Sequence, residues 1–180
     1  MKTYVALFRG LNVGGNNILR MNELVSLLES IGARNVKTYI QSGNVVFQGE
    51  ETSASQLSNR ISAAIKKSHG FEPRVLLLEL EEMERAVASN PFPAAESQPK
   101  ALHLYFLEAM PENPDFDALA SIQSSRERFA LEDNVFYLHA PEGIGRSKLA
   151  ARVEKLLGVS ATARNWRTVC KIVSMAKLSS

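Results

Sequence analysis

The chain has 180 residues, of which 45% are hydrophobic and 22% charged, which suits one compact domain or two small fused ones. Cys170 is the only cysteine, which excludes an intramolecular disulfide and favours a reducing compartment. No apolar run reaches the roughly 18 residues that a membrane span needs, and the chain becomes too polar after Phe8 for a signal peptide. We therefore expect a soluble, cytoplasmic protein.

Charge is distributed unevenly along the chain. The formal net charge is +3 over residues 1–49, −7 over residues 50–139 and +6 over residues 140–180. If the fold brings the two basic ends together, they form a positive face that suits an anionic partner. Otherwise these charges are an ordinary solvated surface.

The first half of the chain alternates between strand and helix patterns. The predicted strands are Thr3–Phe8, Val36–Ile40, Val45–Phe47 and Val75–Leu78. Apolar residues at helical spacing predict two helices. The first helix carries Leu24, Leu27, Leu28 and Ile31, and the second carries Leu57, Ile61, Ala64 and Ile65. Asn22 is the expected N-cap of the first helix, Gly32 and Gly70 are expected to end the two helices, and "QSGN" predicts a hairpin turn. The order β-α-β-β-α-β is that of the ferredoxin-like unit.

The same order recurs after one or two helical turns at Met83–Ala88 and a proline-rich stretch at about Asn90–Pro99. The predicted strands are Leu102–Leu107, Arg128–Leu131, Val135–Leu138 and Val159–Ala163. The predicted helices follow Pro114 and Ser147, and a last helix covers about Asn165–Lys177. We therefore predict an α+β protein with two ferredoxin-like (βαββαβ) subdomains in tandem, at residues 1–80 and 101–180, joined by 81–100, with an extra C-terminal helix.

The stretch "RGLNVGGNN" begins a connection of about a dozen residues, which we call the opening loop (residues 10–20). Gly14 and Gly15 can expose consecutive backbone N–H groups that bind an anion, and Arg9 and Arg20 flank them with fixed positive charge. The alternative is a plain connection whose glycine and asparagine residues tolerate left-handed backbone angles. The length of the loop favours a functional role.

Two further stretches combine basic residues with a helix start. In "HAPEGIGRSKLA", Arg146 and Lys148 flank Ser147. Ser147 can be simply the N-cap of a helix. Alternatively, the free N–H groups at the start of that helix, together with the two basic side chains, hold an anion. In "ATARNWRTVCKIV", the apolar residues Trp166, Val169, Cys170 and Val173 share one helix face, and Arg164, Arg167 and Lys171 lie nearly opposite. This pattern is that of an ordinary amphipathic helix or of a basic stripe that meets nucleic acid.

No catalytic or metal-binding constellation stands out. His69, His103 and His139 lack metal-ligand spacing, so we expect no metal site. His139 with Glu142 is the best candidate for an acid–base pair. Cys170 fits a small core residue better than a nucleophile. Whether the chain is an enzyme, which cofactor it uses and its oligomeric state stay undetermined by the sequence.

Five stretches, "ALFRGLNVGGNN", "TYIQSGNVVF", "NPFP", "GIGRSKL" and "ATARNWRTV", together resemble the bacterial family called domain of unknown function 1697. The resemblance runs from about Tyr4 to about Ala176. It implies an α+β fold of two ferredoxin-like subdomains and is silent on reaction and substrate. Because the matching stretches lie largely in loops and helix starts, they also indicate where binding residues stand.

We therefore expect a binding module for a small anionic ligand, phosphate- or nucleotide-like. The expected ligand-binding residues are Arg9, Asn12, Gly14, Gly15, Asn16, Ser42, Gly43, Asn44, Arg146, Ser147, Lys148, Arg164 and Asn165. One alternative is RNA binding, with bases stacked on the strand aromatics Tyr4, Tyr39, Phe47, Tyr105 and Phe106. Another is an enzyme that uses the same loops.

Overall fold

A computed structural model describes residues 1–50 and 52–180, and it divides the chain into two compact units. Unit 1 comprises Met1–Arg85 and Lys171–Ser180, and unit 2 comprises Ala86–Cys170. Along the described parts of the chain, no helix combines the length and the apolar character that crossing a membrane requires.

Unit 1 has one antiparallel sheet of four strands in the order β2-β3-β1-β4. The strands are β1 (Lys2–Arg9), β2 (Arg34–Tyr39), β3 (Asn44–Gly49) and β4 (Arg74–Glu79). The helices are α1 (Met21–Ser30), α2 (Ala54–His69) and α3 (Leu80–Ala88), of which α3 continues into unit 2. The ferredoxin-like order predicted for the first half is confirmed.

The core of unit 1 lies between the sheet and the helices α1 and α2. Alternate strand residues face it, because successive side chains of a strand point to opposite faces. These strand residues are Tyr4, Ala6, Phe8, Val45, Phe47 and Leu77, and the helices contribute Leu24, Leu28, Leu57, Ile61 and Ile65. Five residues of the two predicted apolar stripes are therefore buried in this core, and Leu27 and Ile31 pack against it partly exposed.

The predicted N-cap of α1 is wrong, whereas the predicted end of α2 is confirmed. Asn22 is not the N-cap of α1, because Arg20 has the extended backbone of a cap and Asn22 already lies in the first turn. The Arg20 backbone N–H donates to Glu23 Oε2 at 3.2 Å instead. Ser53 Oγ caps α2 by accepting from the Gln56 N–H at 3.2 Å, and Gly70 ends α2 in a left-handed conformation, as predicted.

Unit 2 repeats this topology, with the strand order β6-β7-β5-β8. Its strands are β5 (Leu102–Leu107), β6 (Arg128–Glu132), β7 (Val135–His139) and β8 (Ala161–Asn165). Its helices are α4 (Phe116–Ile122), α5 (Val153–Leu157) and the first residues of α6 (Trp166–Lys177). Two ferredoxin-like arrangements in tandem are therefore confirmed.

The helix predicted to begin at Ser147 is wrong. The connection forms short 3₁₀ turns at Ile144–Arg146 and Ala150–Arg152, and only the five residues of α5 are α-helical. Ser147 is buried and its Oγ accepts from the Ala150 N–H at 3.0 Å, so it caps a tight turn. The spacing of Leu149, Val153 and Leu157 suits both conformations, and all three reach the core.

The turn between β2 and β3 requires glycine at position 43. Gly43 has a φ of +80°, and its carbonyl accepts from the Phe8 N–H at 2.9 Å. A Cβ at this position would stand 2.6 Å from Phe8 Cβ, closer than two such atoms pack. Backbone angle and space therefore both select glycine.

We expect Gly43→Ala to lower the free energy of unfolding by about 2–4 kcal/mol, because it adds a steric clash to a left-handed alanine. The matched control is Gly14→Ala, whose φ is +59° and whose Cβ would meet nothing within 4 Å. The control should lose only about 1–2 kcal/mol. Urea denaturation of both variants measures the difference, and equal losses would contradict this role of Gly43.

Candidate functional site

The opening loop and the β2–β3 turn (residues 40–43) lie at the same end of the unit 1 sheet, which we call the loop end. The register places Leu7 opposite Asn44, and Arg9 opposite Arg74. The last residues of β1 therefore lie beside the first residues of β3 and β4. The sequence-predicted groups from "RGLNVGGNN" and "QSGN" come together here.

Asn12 joins the two segments with its side-chain amide. Its Nδ2 donates to the carbonyls of Leu19 and Gln41, both at 2.8 Å, and its Oδ1 accepts from the Leu19 N–H at 2.8 Å. The backbone of Asn12 is left-handed, with a φ of 55°, which asparagine tolerates better than most residues. One side chain thus closes the opening loop and fastens it to the turn.

The tip of the opening loop is a miniature hairpin. Val13 and Asn16 form an isolated β-bridge, and the Asn16 N–H donates to the Val13 carbonyl at 3.1 Å. Gly14 and Gly15 have φ values of 59° and 76°, which are the angles of a type I′ turn. Both glycines are exposed, so the backbone at the tip is accessible from solvent.

The β2–β3 turn is held from within. Asn44 is only 1% exposed, and its Nδ2 donates to the Tyr39 carbonyl at 3.0 Å and to Ser42 Oγ at 3.2 Å. Asn44, Ser42 and Gly43 therefore shape the turn. Contact of these residues with a ligand stays a prediction.

The surface of the loop end combines positive charge with apolar side chains. Arg9, Arg20 and Arg74 are exposed. Three large apolar side chains are also exposed there, which are Val13 (59%), Ile18 (64%) and Ile40 (52%). Ile40 has a φ of 52°, which is strained for a β-branched residue, and such strain clusters at functional sites.

In unit 2, the C-terminal ends of β7 and β8 flank the start of β5, because His139 pairs with Leu102 and Asn165 with His103. Asn165 Oδ1 accepts from the Thr168 N–H at 2.9 Å and so caps α6. Arg164 Nη1 donates to the Ala163 carbonyl at 2.9 Å.

The unit 2 groups give less support to an anion site than the sequence suggested. Burial lowers the pKa of the Arg164 guanidinium to about 10. Arg146 and Lys148 are exposed, but Arg146 ends one short 3₁₀ turn and Lys148 lies between that turn and the next, so neither stands at the start of a long helix. The helix-dipole argument for binding an anion beside Ser147 therefore no longer applies.

The suggested acid–base partners face other residues. His139 Nε2 lies 3.0 Å from Gln98 Oε1, and Glu142 Oε1 lies 4.0 Å from Arg126 Nη1. Burial, and then the charge of Arg128, lower the pKa of His139. These contacts do not arrange His139 and Glu142 as a catalytic pair.

The strand aromatics proposed to stack on RNA bases are mostly internal. Tyr4, Phe47, Tyr105 and Phe106 are at most 8% exposed, whereas Tyr39 is partly exposed. Tyr105 and Phe136 pack edge to face, with ring centroids 5.9 Å apart. Base stacking needs an accessible ring face, so these four rings do not provide a platform for RNA.

His103 is a partly exposed titratable residue on β5 whose Nδ1 atom is buried. Among the described residues its Nδ1 has no hydrogen-bond partner, and burial lowers the pKa of the imidazole below its ordinary value of about 6.5. The fold of unit 2 therefore favours the neutral ring.

We expect stability to fall as the pH drops below about 6.5, because the unfolded chain then binds a proton that folded His103 resists. The lowered pKa of His139 adds to the same trend. Denaturant unfolding of the wild type and of His103→Gln between about pH 7.5 and about pH 5.5 tests this expectation. The free energy of unfolding of His103→Gln should fall less with decreasing pH than that of the wild type. The same dependence on pH in both proteins would contradict this role of His103.

The chain is similar to a protein of known structure over nearly its whole length. That structure is described as the structure of conserved bacterial protein SP0830 from Streptococcus pneumoniae. The two chains are 27% identical, the match covers 97% of this chain and 98% of that chain, and the TM-score is 0.71. No curated protein matches this chain.

The family model described as protein of unknown function (DUF1697) matches residues 1–137. This range contains all of unit 1 up to Arg85, including the opening loop and the β2–β3 turn, and it extends into β7 of unit 2. The match covers well over half of the chain and agrees with the resemblance of the loop sequences. The chain belongs to the DUF1697 family.

Proposed function

We propose that the protein is a binding module for a small anionic ligand of phosphate or nucleotide type, held at the loop end of unit 1. The observation that carries the proposal is the hydrogen bonding of Asn12, which fixes an exposed glycine turn between arginines. A connection that only joined β1 to α1 would not need a side chain that holds it to a second loop.

The residues of the loop end then divide into two roles. Arg9 and Arg20 supply charged, bidentate donors, the N–H groups of Gly14 and Gly15 supply backbone donors, and Asn16 supplies an amide that orients the ligand. Asn12, Ser42, Gly43 and Asn44 are positioning residues, since their contacts hold the loop and the turn. Arg146, Ser147, Lys148, Arg164 and Asn165 of unit 2 are not needed for this proposal.

The other two functions have less support. RNA binding by base stacking has less support because the aromatic side chains of the sheets are mostly buried. A catalytic function would need an acid–base or nucleophilic pair, and the contacts of His139 and Glu142 do not provide one. Binding of a small anionic ligand is therefore the function that the geometry favours.

We expect Arg20→Ala to weaken binding of inorganic pyrophosphate or a nucleoside diphosphate at least about tenfold, because it removes a charge-assisted contact. Stability should change little, since the Arg20 side chain is exposed and its cap contact uses the backbone. The measurement is calorimetric titration of both ligands at low and high salt.

The matched control is Arg34→Ala. Arg34 is an exposed arginine whose register partner is Gln48, near the end of β3 that points away from the loop end. This variant should bind as the wild type does. Equal weakening in both variants, or no binding of any phosphate compound by the wild type, would overturn the proposal.

A further inference from the structure

Unit 2 has an end that corresponds to the loop end of unit 1. Since β5 holds the place in its sheet that β1 holds in unit 1, the β5–α4 connection (residues 108–117) corresponds to the opening loop. The β6–β7 turn (residues 132–134) corresponds in the same way to the β2–β3 turn. The two segments are neighbours, because the Leu107 N–H donates to the Asn134 carbonyl at 2.9 Å. We call them together the acidic end.

The acidic end and the loop end carry opposite charge. The β5–α4 connection contains no lysine or arginine, whereas residues 9–20 contain no aspartate or glutamate. Lys155, in the last turn of α5, is a basic residue at the acidic end. The exposed acidic residues of the two segments outnumber it, and they are Glu108, Glu112, Asp115, Asp117, Glu132 and Asp133.

The positive charge of the loop end extends onto α2. This helix ends at His69, and β4 then begins at Arg74, whose register partner is Arg9. Lys66 and Lys67 in the last turn of α2 therefore add to the exposed arginines. Glu23 and Glu72 are the acidic residues beside them, and they contact His69 and Lys66, respectively.

Both ends also expose large apolar side chains. Those of the loop end are close together, since each is next in sequence to Asn12 or to a residue whose carbonyl accepts a hydrogen bond from Asn12. They are Val13, Ile18 and Ile40. At the acidic end, Met110 is 58% and Phe116 is 42% exposed. Exposed apolar side chains rimmed by charges are typical of protein interaction surfaces.

The β5–α4 connection is fixed at both of its ends. The Glu108 N–H donates to the Ser160 carbonyl at 3.0 Å, and the Asp115 N–H donates to the Leu156 carbonyl at 2.8 Å. Asp115 Oδ1 also accepts from the Ala118 N–H at 2.9 Å. A segment that is already ordered loses less conformational entropy when it binds.

We propose that the loop end of one copy of this protein binds the acidic end of a second copy. Carboxylates such as that of Glu112 would pair with the basic side chains, and Met110 and Phe116 would cover Val13 and Ile18. This chain thus supplies a partner that matches both the charge and the apolar character of the loop end. The inference uses the same surface as the proposed anion site but does not depend on phosphate binding.

Such a contact is heterologous, because the two surfaces in it differ. Each added copy then leaves one loop end and one acidic end unoccupied, so that assembly continues beyond the dimer unless it closes into a ring. Sedimentation velocity of the full chain tests this. Between about 10 and about 500 μM, the mean mass should rise with concentration.

Salt should weaken this association, because it screens exposed charges. We expect a dissociation constant at least about tenfold higher in about 0.5 M than in about 0.05 M sodium chloride. A monomeric wild type at every concentration in low salt would overturn the proposal. If that monomer instead bound vesicles of anionic phospholipid, the loop end would have another occupant and the proposal would equally fail.

Mixing two charge-reversal variants is the sharpest test. Arg20→Glu spoils the loop end and Glu112→Lys spoils the acidic end, so each variant alone should stay monomeric. An equimolar mixture should form 1:1 dimers that do not grow, since the intact loop end of one variant meets the intact acidic end of the other. A mixture that stays monomeric would contradict the proposal.

The controls for mixing reverse exposed charges elsewhere. Arg34 pairs with Gln48, away from the loop end, and Glu142 follows His139, whose register partner is Leu102 at the start of β5. Arg34→Glu and Glu142→Lys should each associate as the wild type does. Controls that lose association like the site variants would show only a general effect of charge, which would contradict the assignment.

The apolar part of the contact has its own test. Ile18→Ser should weaken association at both salt concentrations, whereas Leu178→Ser, at a side chain that is 79% exposed outside both ends, should not. Equal effects of the two changes would contradict an apolar contact at the loop end.

Titration with inorganic pyrophosphate separates this inference from the proposed anion site. Glu112→Lys leaves the loop end intact, so it should lose self-association and bind pyrophosphate as the wild type does. If no protein binds pyrophosphate, the anion site fails, and the mixing experiment still decides between self-association and its absence.

Discussion

The side-chain amide of Asn12 is the interaction on which the loop end of unit 1 depends. One of its three hydrogen bonds, to the Gln41 carbonyl, joins the opening loop to the β2–β3 turn, and the other two, with the Leu19 backbone, close the loop itself. A long loop loses much conformational entropy on ordering, so a fixed shape needs specific interactions. Asn12 supplies them to both segments at once.

Backbone strain is concentrated in the same region. Asn12, Asn17 and Ile40 are non-glycine residues with left-handed backbone, and Ile40 also exposes its side chain. Each such residue costs of order 1–3 kcal/mol and persists only where its surroundings determine it. The well-packed sheet below, with Tyr4, Phe8 and Phe47 buried, provides the stability that tolerates this strain.

Local patterns predicted the elements well where a single signal decides them. Alternation identified β1, the glycine of "QSGN" identified the β2–β3 turn, and Gly70 marked the end of α2. Ser147 shows the limit of such signals, because the same apolar spacing fits a 3₁₀ turn and an α-helix. The role of Asn12 was equally hidden, since its partner Gln41 lies 29 positions further along the chain.

Hydrogen–deuterium exchange of Asn12→Gly tests the central claim most directly. Glycine accepts the left-handed backbone, so this variant removes the amide without adding strain. We predict faster exchange in residues 10–19 and 40–43 together, with the rest of the unit 1 sheet unchanged. Asn35→Gly, which replaces another left-handed asparagine on β2, should leave both segments as they are in the wild type. Unchanged exchange in the opening loop of Asn12→Gly would contradict the claim that Asn12 fixes the site.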